Sequence, residues 1–236
     1  MNPDPSLRIR KYQPADRQAL RDICARTCWM GEHRPELIAD DWLWAEYWTR
    51  YFTDIETDLT WVAETVGHSS RRGGLNVPFS GHVAGYLTGT ADSARFESYG
   101  LRLMPGIVWH VIRWRLMRRR QSRRAIGQML RAMMSGDMDL PARLRREFPA
   151  TFHTDLLPEA RQRGIGSAMM RAFLDELARR SVPGVYAQTL SLNVAAGKSL
   201  ARAGFSLTLT RPTAAFKLVH DGPVEVQTWT RGIDDF

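Results

Sequence analysis

Cysteine is nearly missing from this 236-residue sequence: only Cys24 and Cys28 occur. Two thiols are too few for a structural zinc site, so no metal is expected. They lie four residues apart in a helix-like segment and share a face, where the short side chains of one helix rarely bridge. They read as reduced core thiols of a cytoplasmic protein. Long apolar runs are also missing. No stretch reaches about eighteen uninterrupted apolar residues, so no transmembrane helix is expected. The opening MNPDPSLRIRKY has no apolar core, so no secretory signal is expected either. There is no repeat at solenoid spacing and no low-complexity tract. The last absence is local: residues 98–136 hold nine arginines and no acidic residue. Elsewhere 24 basic side chains meet 25 acidic ones, a net of −1. The overall charge of +8 therefore belongs to one segment rather than to the whole surface.

What is present suits one large domain, or one domain with an insertion. The run LRIRKY alternates as a strand does, and QPAD (13–16) follows as a turn and helix start. Leu20, Ile23, Cys24 and Thr27 then recur at helical spacing. A second helical region, about 36–52, carries Trp42, Trp44, Tyr47, Trp48, Tyr51 and Phe52. Residues 61–65 and 82–90 read as strands of a hairpin with a long tip at 67–80, and Gly85 marks a bulge. Residues 91–149 form the basic region, helical in parts, with breakers at Pro105, Gly136 and Pro141. A strand at 151–157 leads through a glycine-containing turn, 161–166, into a helix. Its stripe is Met169, Met170, Phe173, Leu174, Leu177 and Ala178. A strand at 184–190, a helix at 194–203 stopped by Gly204, and closing strands at 207–210 and 224–230 complete the chain. This order predicts a mixed α/β sheet with at least one parallel pair.

The stretch FHTDLLPEARQRGIG (152–166) carries the chemistry. A strand enters a turn and the turn opens a helix, whose first N–H groups lack intrahelical partners and sit at the positive end of the dipole. Gly164 and Gly166 let an anion reach the backbone, and Arg161 and Arg163 add positive charge. This is a cradle suited to a pyrophosphate. A strand–glycine–helix turn also arises from packing alone, and the pattern by itself leaves both readings open. A dinucleotide fingerprint is disfavoured because the third glycine is missing, and a P-loop is excluded because no Gly-Lys-Ser/Thr follows.

The segment LLPEARQRGIGSAMM resembles the signature of the GNAT acyltransferases: Gln or Arg, two residues, Gly, one residue, then Gly or Ala. A second piece, NVAAGKSLARAGF after the strand GVYAQTL, is similar to the partner motif of that family, and RIRKYQPADRQAL to its first strand and helix. Together they span the chain apart from 91–149. Within the family, ICARTCWMG, the 152–166 motif and residues 181–205 are similar to bacterial relatives of the acetyltransferase-like domain of O-GlcNAcase, which also carry a long insertion before the motif strand.

The resemblance implies a single GNAT domain over 1–236, with a basic insertion at about 91–149. The fold would be a mixed central sheet with a parallel strand pair at the acyl-CoA site and helices on both faces. It implies transfer of an acetyl group from acetyl-CoA to an amine by direct attack in a ternary complex. The pantetheine arm would pair with the strand at Asp155, Leu156 and Leu157. The pyrophosphate would lie on Gln162, Arg163, Gly164, Ile165, Gly166 and Ser167, next to Arg161, and Asn193 would contact the cofactor near the thioester. The attacking amine must be neutral, so a base must accept a proton. His153 and Asp155 are two apart on a strand and share a face. Asp155 is the first candidate for the base and His153 the second, against the plainer reading that either satisfies a local polar contact.

One position departs from the pattern: the family tyrosine that protonates the leaving thiolate falls at Leu200. Water, Ser199 or Tyr186 would have to serve instead. The same departure admits an alternative function, a catalytically inert acyl-CoA-binding or protein-interaction module. The aromatic run at 42–52 is either core or an acceptor pocket. The arginine-rich segment is a solvated face, a clamp near the CoA phosphates, or a contact for anionic lipid or nucleic acid. The amine acceptor, a small molecule or a protein, is not encoded in any motif.

Overall fold

The structure, a computed structural model, describes residues 6–66 and 81–233; the loop expected at 67–80 lies outside the described residues. In chain order the elements are β1 (Leu7–Lys11), α1 (Arg17–Arg26), α2 (Asp41–Asp54), β2 (Thr60–Thr65), β3 (Val83–Thr90), α3 (Ser93–Arg113), α4 (Arg120–Ser135), α5 (Ala142–Glu147), β4 (Ala150–Leu156), α6 (Ile165–Arg179), β5 (Gly184–Leu190), α7 (Val194–Arg202), β6 (Ser206–Thr213) and β7 (Val224–Gly232). The strands form one sheet ordered β1-β2-β3-β4-β5-β7-β6. Every neighbour is antiparallel except β4 and β5, which are parallel.

The sheet is covered on both faces. On one, the α6 stripe Ile165, Met169, Met170, Phe173, Leu174 and Leu177 is buried against Ala63, Leu87, Ala150 and Val185. These positions fall at helical spacing, which is why one face of the helix supplies most of that core. On the other face, Leu20, Ile23 and Cys24 of α1 meet Val62 and Tyr86, and burial pushes the Cys24 thiol up from its ordinary value. Both cysteines are free. The start of α1 is fixed by Asp16, which accepts from the Gln13 N–H at 2.8 Å and pairs with Arg10 at 2.6 Å.

Several boundaries differ from the sequence-based expectation. The second helix begins at Asp41 rather than near 36, because Asp40 caps it: Oδ1 accepts from the Leu43 N–H at 2.7 Å. Pro105 does not end α3. Proline removes one helical hydrogen bond and crowds the preceding turn, but Leu103 and Ile107, on either side of it, are anchored against Leu43. Gly136, with φ of 65°, does end α4. The closing strand β6 is longer than expected and admits Pro212, which an edge strand tolerates.

Helices α3 to α5 join β3 to β4 and dock on both sides of the sheet's centre. Ser122 Oγ donates to Ala39 O at 2.9 Å, and Gln121 Nε2 to Pro35 O at 2.5 Å. On the far side Gln188 Nε2 donates to Met138 O and Arg211 Nη1 to Asp139 O, both at 3.0 Å.

Between β2 and β3, Ala63 faces Gly85 while Glu64 faces Val83, so Ala84 is the extra residue of a bulge. A side chain at Gly85 would overlap Leu156 and come within 2.9 Å of the Asp155 carbonyl. Gly85→Ala should therefore destabilise the fold by about 1–3 kcal/mol through overpacking against β4. Chemical denaturation checks this, and an unchanged midpoint would mean that β4 yields freely at Leu156.

Candidate functional site

β4 pairs with β3 over its length, from Thr90↔Thr151 to Gly85↔Leu156. With β5 it pairs only at Ala150↔Val185 and Thr151↔Tyr186, after which the two strands separate into a wedge. In an antiparallel ladder alternate residues bond the neighbour. The bond from Leu157 N–H to Ala84 O at 2.9 Å sets the phase. Asp155 and His153 then share that phase and turn their backbone groups to β3, while Phe152, Thr154 and Leu156 turn theirs to the wedge. Of the three positions expected to offer backbone there, Leu156 alone does so.

Past Leu156 the chain makes a 3-10 turn at Pro158–Ala160 and reaches α6 through two left-handed residues, Gln162 (φ 59°) and Gly164 (φ 74°). Such alternation of handedness draws successive N–H groups to one side, the concavity that anions occupy. The helix starts at Ile165 with Gly164 at its cap, so Ile165, Gly166 and Ser167 carry N–H groups without intrahelical partners. A side chain at Gly166 would sit 3.3 Å from Leu156 Cδ1. The backbone of 162–167 thus has the shape and polarity a pyrophosphate needs.

Arg161 has another employment. Its Nε donates to Leu156 O at 2.9 Å and its Nη2 to Gly31 O at 2.6 Å. Gly31 has φ of 90°, and a Cβ there would collide with the guanidinium. The arginine therefore ties the end of β4 to the α1–α2 loop. Arg163 Nη1 reaches Ser6 Oγ at 3.3 Å. Asn193 caps α7, its Oδ1 accepting from the Ala196 N–H at 3.1 Å.

His153 and Asp155 do share a face, and they touch: Nε2 and Oδ2 are 3.0 Å apart. The same Oδ2 accepts from the Tyr86 hydroxyl at 2.7 Å. Tyr86 is fully buried, and burial followed by the nearby Asp155 charge holds its hydroxyl protonated well above the ordinary range. Burial alone would lower the His153 pKa, but the charge and hydrogen bond of Asp155 outweigh it and the net shift is upward. The His153 side chain keeps 39% of its exposure against 14% for Asp155. Trp48 stacks on the imidazole, centroids 5.6 Å apart at 19°. With Nε2 committed to Asp155, Nδ1 makes no hydrogen bond among the described residues.

Sequence reading missed Tyr86 and the role of Trp48. The available signals were a tyrosine inside the apolar run of β3 and the aromatic run of α2. That run divides. Tyr51 and Phe52 are core against Phe96, whereas Trp44 and Trp48 are half-buried, Trp48 against the histidine and Trp44 against Trp48. Leu200 is core, packed in the cluster under α6. Tyr186 is buried at the closed end of the wedge, opposite Thr151.

No protein-family model and no curated protein matches the sequence. Solved structures do match its fold. The structure titled SsHAT is 25% identical over 98% of this chain and 100% of its own, with a TM-score of 0.63. A putative acetyltransferase from Salmonella typhimurium, solved with its cofactor acetyl-CoA, is 15% identical over 98% of this chain and 96% of its own, at 0.52. A GNAT superfamily phosphinothricin acetyltransferase from Sinorhizobium meliloti, in complex with AcCoA, is 15% identical over 96% of this chain and 88% of its own, at 0.53.

Because Arg161 is engaged with two carbonyls, its loss should act through position rather than charge. Arg161→Lys retains the charge but cannot reach both carbonyls, and should cost about 1–3 kcal/mol. Thermal unfolding tests the stability, and CoA affinity at several salt concentrations tests the mechanism. A variant as stable as the parent would show that the tie contributes nothing.

Proposed function

We propose that this chain, which has the GNAT fold, moves an acetyl group from acetyl-CoA to an amine. The observation that carries the reading is the half-paired β4–β5 wedge running into the left-handed turn that opens α6. An extended arm bearing amides can complete the ladder at Leu156, and a pyrophosphate can rest on the N–H groups of residues 162–167. Neighbours of the same fold were solved with acetyl-CoA, which supports that co-substrate. When bound, it supplies the activated acetyl thioester.

His153 is the general base in this reading and Asp155 its positioning partner, the reverse of their order of promise in the sequence. Asp155 Oδ2 already takes hydrogen bonds from Tyr86 and His153. Accepting from Nε2–H fixes the imidazole tautomer and leaves Nδ1 to receive the proton of the amine. Trp48 holds the ring by stacking and shields it on one side. No tyrosine in the helix after Asn193 supplies the acid, since Leu200 stands at that position and is core. A free thiolate with a pKa near 8.5 needs little help to leave. The same leucine favours the second reading, an acyl-CoA-binding module without turnover. Thiol release with a panel of amines decides between them.

Two outcomes are expected. Gly166→Val fills the space beside Leu156 at the first helical turn and should weaken CoA binding about tenfold or more. Calorimetry giving an unchanged affinity would remove the pyrophosphate from this turn. His153→Gln should lower kcat about a hundredfold to ten-thousandfold while CoA affinity stays constant. The His153 pKa is raised, so the neutral base forms only as pH climbs through a value above about 6.5, and turnover should rise with it. The ion pair works in the opposite sense on stability: its contribution is present in full below about 6.5 and is lost as pH rises through the raised value. In Asp155→Asn burial alone acts on the imidazole, so the inflection should move below about 6.5. An NMR titration of His153 in both proteins reads this directly, and an unmoved inflection would sever Asp155 from the histidine.

A further inference from the structure

Helix α3 is apolar on two opposite faces. Leu103, Ile107 and His110 turn inward and are buried. Leu101, Pro105, Val108, Trp109 and Ile112 fall at spacings of four, three, one and three, a single stripe on the other side, and every one of them is exposed. Ile112 is 70% exposed and Trp109 64%. The stripe continues past the helix into Trp114 and Met117, which are also exposed. A helix that is hydrophobic all round is normally covered all round.

The charge beside the stripe indicates what covers it. All nine arginines of residues 98–136 are exposed. None forms an ion pair among the described residues, whereas Arg8, Arg10, Arg17, Arg21, Arg50 and Arg180 all do. Arg102 and Arg113 line one edge of the stripe, and Arg115, Arg118, Arg119 and Arg120 follow it directly. The surface therefore joins inserting side chains, two of them tryptophans, to unpaired cations on long stems.

We propose that this face of α3, with the turn after it, docks on an anionic lipid bilayer. The apolar stripe enters the headgroup boundary while the arginines reach lipid phosphates, as in interfacial helices. The attachment is peripheral, since among the described residues no helix is long and apolar enough to cross a membrane. A second copy of the chain fits poorly, because a two-fold contact through this face would set its arginines against themselves. Nucleic acid would use the arginines but leave Leu101, Val108 and Ile112 without a role.

The full chain, mixed with phosphatidylglycerol–phosphatidylcholine vesicles and with phosphatidylcholine vesicles alone, tests this. It should sediment with the anionic vesicles and not with the neutral ones, lose binding as salt is raised, and shift its tryptophan emission to the blue. Trp109→Ser combined with Ile112→Ser changes two exposed residues, so thermal unfolding should be unchanged while vesicle affinity falls about tenfold or more. Absence of binding to anionic vesicles, equal binding to neutral ones, or full binding by the folded variant would each overturn the proposal. So would retention of duplex DNA, or variant-sensitive dimerisation in solution, without any vesicle binding.

Discussion

β4 belongs fully to one neighbour and barely to the other, and most of the remaining architecture follows from that inequality. Backbone groups of Thr154 and the N–H of Leu156 face a gap, the Leu156 carbonyl being taken by Arg161, and unpaired polar groups inside a fold must be satisfied by something. Closing the gap with a strand would complete the sheet and abolish the site. The fold instead holds the mouth apart with side chains. Trp29, Leu37 and Ile38 of the α1–α2 loop pack with Leu190, Leu192 and Phe216 from the far side. Trp29 and Phe216 lie 5.2 Å apart. Arg161 fastens the near side to the same loop. One loop thus touches both walls of the wedge, and its glycine at position 31 is the place where a guanidinium can pass.

The helices between β3 and β4 reinforce that arrangement. Their contacts reach the α1–α2 loop at Pro35 and Ala39 and the β5–β6 side at Gln188 and Arg211. His110 Nε2 meets Asp40 Oδ2 at 2.8 Å, so the carboxylate that caps α2 with one oxygen holds α3 with the other. A surface concavity of about 630 Å³ lies here and is lined by Asp40, Trp42, Trp109, His110, Arg113 and Trp114. It involves no residue of β4 or of the turn into α6, so this hollow lies apart from the wedge.

The parts of the fold visible in the sequence are those governed by short-range periodicity. The α6 stripe, the strand at 184–190 and the glycine-opened turn were legible because each is set within about fifteen residues. The extent of β6 was not, since an exposed edge strand with a proline lacks a clean alternation. Pro105 misled because tertiary anchors at Leu103 and Ile107 outweigh a local breaker. At the site, the shared face of His153 and Asp155 followed from strand geometry. The hydrogen bond that commits Asp155 did not, because it comes from Tyr86, which is 69 residues from Asp155 in sequence. The true engagement of Arg161 depends on Gly31, 130 residues away. Neither partner carries a local signal, and the positive φ of Gln162 follows from no propensity rule.

The excursion from β3 to β4 also bears on how the molecule assembles. Thr90 and Thr151 are cross-strand partners, so the chain leaves the sheet and returns to almost the same point after 60 residues. Replacing a four-residue hairpin by such a loop adds roughly 2 kcal/mol of closure entropy to the step that joins the two strands. The helices inside the loop are held by α2, the α1–α2 loop and the β5–β6 side, so they shorten the distance to be closed only with those partners in place. The pairing of β3 with β4 therefore carries the entropy of a 60-residue closure that an ordinary hairpin does not.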